Sequence, residues 1–200
     1  MTSSHSVQCR CGRLRGVLKP TRPSNRCICY CRDCRTFARH LGDPDKDLDK
    51  IGGSEIIQVP PANLSFTQGQ EHLACLRLTE KGMLRWYASC CRTPIGNTTT
   101  DWRMSFVGLV HSCLRGADRS LDDSFGPVTM WTHVGGALGE SNLRASGELG
   151  GIAGIAWFIL KARLNGRYKK TPFFHADSGL PVASPHVLSQ AELEAARRDT

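Results

Sequence analysis

Three cysteines stand within six residues, in the run Cys29-Tyr30-Cys31-Arg32-Asp33-Cys34. Zinc held by thiolates needs its sulfurs at about 2.3 Å in a tetrahedron. Spacings of the type C-x-C and C-x-x-C deliver them with little chain ordering, because one turn aims the side chains inward. Three ligands from one segment leave a fourth position for water or an incoming thiolate, which is the mark of a chemical site. Cys9-Arg10-Cys11 supplies two ligands more, and the Cys90-Cys91 doublet is the obvious source of partners for them. Neighbours on a strand point to opposite faces, so Cys90 and Cys91 can both ligate only from a turn. Cys27 shares a face with Cys29 and Cys31 in a regular strand and is an alternative ligand. Cys75 and Cys113 sit in apolar stretches and read as small buried hydrophobes.

Ten cysteines in 200 residues fall short of the roughly 8–10% of a disulfide scaffold. Cysteines two apart are poorly placed to bridge each other. In a reducing compartment such clusters are more often metal sites. The run does not match the common ferredoxin spacings, which weighs against an iron–sulfur cluster. The first residues carry no apolar segment of the secretory kind, and no apolar run reaches the ~20 residues needed to span a bilayer. The expectation is a soluble, cytoplasmic protein with no membrane span.

The net charge of +8 is unevenly placed. Residues 1–40 hold Arg10, Arg13, Arg15, Lys19, Arg22, Arg26, Arg32, Arg35 and Arg39 against Asp33 as the one acid, which leaves 17 basic and 17 acidic residues elsewhere. Part of that excess offsets anionic thiolate centres. The rest would attract an acidic substrate or a phosphate backbone.

These residues must be positioned by a mainly β framework. Val7–Leu18 alternates apolar and polar residues as a strand or hairpin does, and Arg26–Cys31 reads as another strand, with a short turn or helix through Arg35–His40. Glu55–Val59, Leu64–Thr67, Leu73–Leu78, Met83–Ala88 and Met104–Val110 follow as short strands broken by turn residues. The pattern predicts an antiparallel, partly open β fold. After about residue 115 a Gly-rich stretch leads into a helix over Ile152–Leu164, whose expected use is packing on the β domain, with membrane contact as the weaker alternative. A capping box at Ser189 and Glu192 opens a final helix. The chain thus divides into a zinc-binding β domain at 1–115 and a C-terminal helical extension at 116–200, tacked down by Pro172-Phe173-Phe174-His175.

The order C-x-C, then C-x-C-x-x-C followed by Arg35, then Cys91-Arg92-Thr93-Pro94-Ile95 resembles the glutathione-dependent formaldehyde-activating enzyme and centromere protein V-like family. The resemblance covers roughly residues 6–115. It implies a β-tent fold with two zinc ions. Cys29, Cys31 and Cys34 would hold the catalytic ion, and Cys9, Cys11 and Cys91 fall on structural ligand positions. The family's late pair is C-x-x-C-G-T-P, whereas Ala88 stands here where its first cysteine belongs. Cys90 is the substitute at hand. The implied activity is that of a zinc-dependent carbon–sulfur lyase acting on the adduct of glutathione, or another thiol, with a small aldehyde. His40 and Asp33 are base candidates by proximity, and Arg32, Arg35 and Arg39 are candidate carboxylate clamps.

The rival from another class is a non-catalytic zinc-stabilised binding or chaperone-like module for a protein or nucleic-acid partner. No ribbon of interleaved aromatic and basic residues of the single-strand-binding kind is present, which weighs against nucleic acid.

Overall fold

The structure is a computed structural model that describes residues 4–20, 25–114, 119–139 and 142–198. Arg22 and the expected boundary at 115/116 lie outside the described residues. Strands β1 (His5–Gln8) and β2 (Arg15–Leu18) form an antiparallel hairpin. Strand β3 (Asn25–Cys29) leads into helix α1 (Arg32–Leu41) and the single turn α2 (Pro44–Asp47). Five strands follow: β4 (Ser54–Val59), β5 (Leu64–Gln68), β6 (Leu73–Arg77), β7 (Leu84–Ala88) and β8 (Thr93–Thr98). Strand β9 (Val107–Val110) precedes helix α3 (Leu121–Phe125), strand β10 (Met130–Thr132) and the long helix α4 (Glu148–Leu164). Strand β11 (His186–Val187) and helix α5 (Gln190–Arg197) end the chain.

Two sheets result, one ordered β1-β2-β5 and one ordered β10-β3-β4-β9-β8-β7-β6-β11. Pairing is antiparallel except at the two edges, where β10 lies parallel to β3 and β11 parallel to β6. The fold is mainly antiparallel β with cysteine clusters and a C-terminal helix. Strand β8 is absent from the sequence reading because Pro94, Gly96 and Asn97 look like turn residues. Every residue of it is buried, and a doubly covered strand lacks the alternation that identifies half-buried ones.

The main core gathers Trp86, Ile57, Ile95 and Leu109 from the large sheet with Leu14 and Leu18 from the hairpin. Trp86 is fully buried, and its indole N–H donates to Thr98 Oγ1 at 3.0 Å, so the polar edge is satisfied. Residues from beyond the predicted boundary complete this core. Phe173 packs tilted and Phe174 edge-on against Trp86, with ring centroids 5.0 and 6.1 Å away, and Phe125 is buried in the same cluster. A smaller cluster joins Phe37 and Leu41 of α1 to Leu76, Leu188 and Leu193. It docks α5, whose start carries the capping box between Ser189 and Glu192. The C-terminal region therefore supplies both edge strands of the large sheet, core aromatics and a helical buttress for α1.

Candidate metal centres

Cys9 directly follows β1, and its backbone N–H donates to the Leu14 carbonyl at 3.0 Å while its sulfur accepts from the Leu14 N–H at 3.3 Å. This turn presents Cys9 and Cys11 together, 3.5 Å apart. The second knuckle is the turn between β7 and β8. Arg92 adopts φ 53° there, a left-handed backbone that a non-glycine residue holds only under local constraint. The constraint is visible: the Arg92 guanidinium donates to the carbonyls of His40 and Leu41, at the C-terminal end of α1. The chain reversal releases Cys90 and Cys91 from strand alternation. Cys90 Sγ lies 3.7 Å from Cys9 Sγ, 3.4 Å from Cys11 Sγ and 3.9 Å from Cys91 Sγ. All four sulfurs fall within 4.8 Å of one another. Zinc at about 2.3 Å from each of four sulfurs would set neighbours about 3.8 Å apart. The donor set and its spacing fit such an ion.

Ala88 is fully buried in the core at the end of β7. The sulfur that the resemblance places at 88 has its counterpart in Cys90, two residues on, within the turn, which could serve as the fourth ligand. Surrounding contacts fix the knuckles. Thr93 Oγ1 accepts from the Arg10 N–H at 2.9 Å and stands 3.1 Å from Cys91 Sγ, while Arg10 pairs with buried Asp47 at 2.6 Å. Burial raises the Cys9 thiol. At Cys91 burial opposes ionisation, but the hydrogen bonds from Thr93 and Cys11 outweigh it and bring the thiol down to about 6.

The second cluster is built at the junction of β3 and α1. Cys29 ends the strand, Cys31 is the N-cap of α1, and Cys34 lies in its first turn. The N-cap sulfur accepts from the Cys34 N–H at 3.4 Å, in the field of the helix N-terminus that favours a thiolate. The three sulfurs lie within 4.8 Å of one another. Contacts with Cys29 and Cys34 hold Cys31 down at about 2, whereas contacts with Cys31 and Cys34, then burial, push Cys29 far up. Without a cation, these crowded thiols share ionisation instead of each bearing a charge; a divalent ion would relieve that restriction. Cys27 is not a member of this group. It is buried, its sulfur accepts from the Gln58 amide at 3.6 Å, and burial raises it to about 12. Cys75 and Cys113 are buried in the main core, as expected.

A cleft of about 770 Å³ opens above Cys29, Cys31 and Cys34. Arg32 and Asp33 line it from α1, Arg85 and Asn97 from the sheet, Met130 and His133 from β10 and the residue after it, and Ile152 and Ile155 from α4. Two polar residues among these, Arg85 and His133, went unrecognised in sequence. Arg85 is buried, donates to Asn97 Oδ1 at 3.2 Å, lies 3.7 Å from Asp33, and its charge favours the Cys31 and Cys34 thiolates. His133 sits at φ 55° with Nδ1 3.8 Å from Cys29 Sγ. No local motif marks either residue, because each reaches the cleft through sheet pairing; β10 meets β3 in the register Thr132 to Cys29.

Other expected groups are engaged elsewhere. His40 is at the far end of α1 from the cluster. Arg35 is buried and donates to the carbonyls of Tyr30 and Gly136, where any side chain at 136 would collide with the Tyr30 carbonyl. Arg39 donates to the Arg198 carbonyl, and Arg26 pairs with Glu55 and Asp122. Much of the N-terminal arginine excess is therefore structural, and of the three proposed clamps only Arg32 lines the cleft.

Two cysteine clusters thus have geometry able to hold metal ions and compatible with zinc. Among the described residues, no helix is long and apolar enough to cross a membrane. No curated protein matches the chain. A crystal structure of a Rhodobacter sphaeroides protein, a structural-genomics target, is 19% identical, covers 64% of this chain and 99% of its own, and superposes with a TM-score of 0.39. A family profile matches residues 1–185, and the chain belongs to that family, DUF6151, a family of unknown function.

Proposed function

We propose that the chain is a zinc-dependent enzyme that makes or breaks a carbon–sulfur bond in the adduct of a small thiol, such as glutathione, with an aldehyde. The observation that supports this reading is the convergence of the Cys29, Cys31 and Cys34 sulfurs on the floor of a cleft wide enough for a small ligand. Zinc held by these three cysteines would supply the Lewis acidity that keeps a sulfur ionised at neutral pH. The remaining work falls to the chain's own groups. Arg85 and the α1 N-terminus set a positive potential over the floor, which favours departure of a sulfur anion from carbon. Arg32 offers a planar fork to a substrate carboxylate. Met130, Ile152 and Ile155 form an apolar wall that limits water. Asp33, His133 and Glu148 line the cleft and are the groups positioned to take the hydroxyl proton of a hydroxymethyl adduct.

The test combines zinc counting by mass spectrometry with NMR observation of adduct turnover from glutathione and formaldehyde. Two zinc ions per chain and turnover above the uncatalysed rate are expected. Cys31→Ser should lose one ion and the turnover while keeping its circular dichroism spectrum. Undiminished turnover by Cys31→Ser ends the proposal.

One observation favours the second reading, a zinc-stabilised binding module. His133 Nδ1 lies 3.8 Å from Cys29 Sγ, close to the roughly 3.6 Å that two ligands of one tetrahedral zinc would keep. A shift of the ring toward Cys31 and Cys34, with which it is not yet grouped, would close the site. His133→Ala separates the two: a retained second zinc supports the open site, and its loss supports the closed one.

A further inference from the structure

Helix α4 departs from the burial its sequence calls for. From Leu149 to Leu164 it is apolar on every side apart from Lys161 and Arg163, and a helix apolar all round is ordinarily buried all round. Only Gly151 and Ala162 are buried. Leu149, Ile152, Trp157, Leu160 and Leu164 are exposed, Leu149 by 87% and Leu164 by 81%. Leu149, Ala153, Ala156, Leu160 and Leu164 recur at helical spacing of three or four and are all exposed, so they form one outward stripe. On the inner side Gly151 and Gly154 lie against Met130 and Asn25, where an added Cβ would meet them at 2.7 and 3.2 Å. The helix is anchored from within and bare outside. An uncovered apolar stripe of four turns marks an interaction surface.

Charge identifies the occupant. Lys161, Arg163, Arg167, Lys169 and Lys170 follow one another at the C-terminal end of α4 with no acid among them. The Arg163 side chain donates to the Arg103 carbonyl at 3.3 Å and lies 3.8 Å from Asp101, the one acid beside this patch in the contacts described. A second copy packed parallel would set these cations against their own equivalents. Packed antiparallel, it would offer them Glu148 as the only acid of the helix. A surface of anionic headgroups satisfies both the leucine stripe and the cations.

We propose that α4 docks the protein onto an anionic lipid surface. Trp157 and the leucine stripe enter the headgroup boundary, and the basic end contacts lipid phosphates. The helix lies on the bilayer without crossing it. This inference does not depend on the proposed chemistry of the cysteine cleft.

The experiment is co-sedimentation of the full chain with vesicles of phosphatidylcholine alone or mixed with phosphatidylglycerol. Binding to the mixed vesicles at least about tenfold tighter than to the neutral ones is expected, weakening as salt screens the charges. Trp157 fluorescence should shift to the blue on binding, and Trp157→Phe should remove the shift. Leu149→Ser with Leu160→Ser and Leu164→Ser should abolish binding, and so should Lys161→Glu with Lys169→Glu and Lys170→Glu. An unchanged circular dichroism spectrum and melting temperature would show that these variants fold. Failure to bind anionic vesicles, or binding indifferent to charge reversal, overturns the proposal. So does a dimer in light scattering that the leucine variant dissolves, because the stripe is then covered by a second copy.

Discussion

The two cysteine clusters sit at opposite ends of the same helix and are built on different plans. At the C-terminal end of α1, Arg92 holds the turn that brings Cys90 and Cys91 to Cys9 and Cys11, which makes a four-sulfur set. At the N-terminal end, Cys31 and Cys34 join Cys29 in a three-sulfur set under a cleft. The helix between them is ten residues, about 15 Å, long. A full set of thiolates satisfies a tetrahedral ion, so the first cluster is suited to fastening the hairpin β1-β2 to the β7-β8 turn. A set one ligand short leaves coordination to be filled by something else, and that is the condition for chemistry. Ligand number and surroundings separate the two, not the identity of the ligand residues.

This contrast can be broken most directly at the four-sulfur set. Cys9→Ser or Cys90→Ser should lose one zinc and lower the melting temperature by about 10 °C or more, since several kcal/mol of metal-linked folding energy at about 2–4 °C per kcal/mol is at stake. If calorimetry finds the melting temperature unmoved, this cluster is not a fastener. Cys31→Ser at the other end should move melting by only a few degrees, because the cleft cluster joins neighbouring elements already tied by β3 and α1. A larger loss of stability than Cys90→Ser causes would reverse the assignment of roles.

Chelation should sharpen the same contrast. With a chromogenic chelator, zinc release should be biphasic, and the cleft ion should leave first because it is held by fewer sulfurs and faces an open cavity. A single phase for both ions would count against an open site. Arg85→Gln should reduce adduct turnover by about tenfold, equal to about 1.4 kcal/mol of barrier, and leave the zinc count unchanged. Smallest is the Cys90→Ala, Ala88→Cys exchange. It should fail to recover the zinc lost by Cys90→Ala alone, since position 88 is buried in the core and not in the turn.

The ligand runs were legible because their spacing is local. Two sulfurs within three residues converge whatever the rest of the fold does. The hairpin, β3 to β7 and the terminal helix were legible from alternation and a capping box, and α4 was found minus its first turn, hidden in the Gly-rich stretch. Helix α1 extends further than Arg35–His40 because Cys31 caps it, a role that ordinary capping preferences do not assign to cysteine.

By itself the sequence determined that the chain is mainly β and that its cysteines fall in metal-binding spacings, and it pointed to the late doublet as the source of partners for the first pair. Such conclusions rest on interactions between residues close in the chain, where side-chain direction follows from backbone geometry. Only the tertiary structure decided that the Cys90 sulfur gathers with those of Cys9, Cys11 and Cys91, which depends on a left-handed Arg92 held by the end of α1. It also decided that Arg85 and His133 face the cleft, that Arg35 and Arg39 do not, and that α4 leaves its leucines bare. Each of these is a contact across many residues of chain, set by which strands pair and what the core has room to cover.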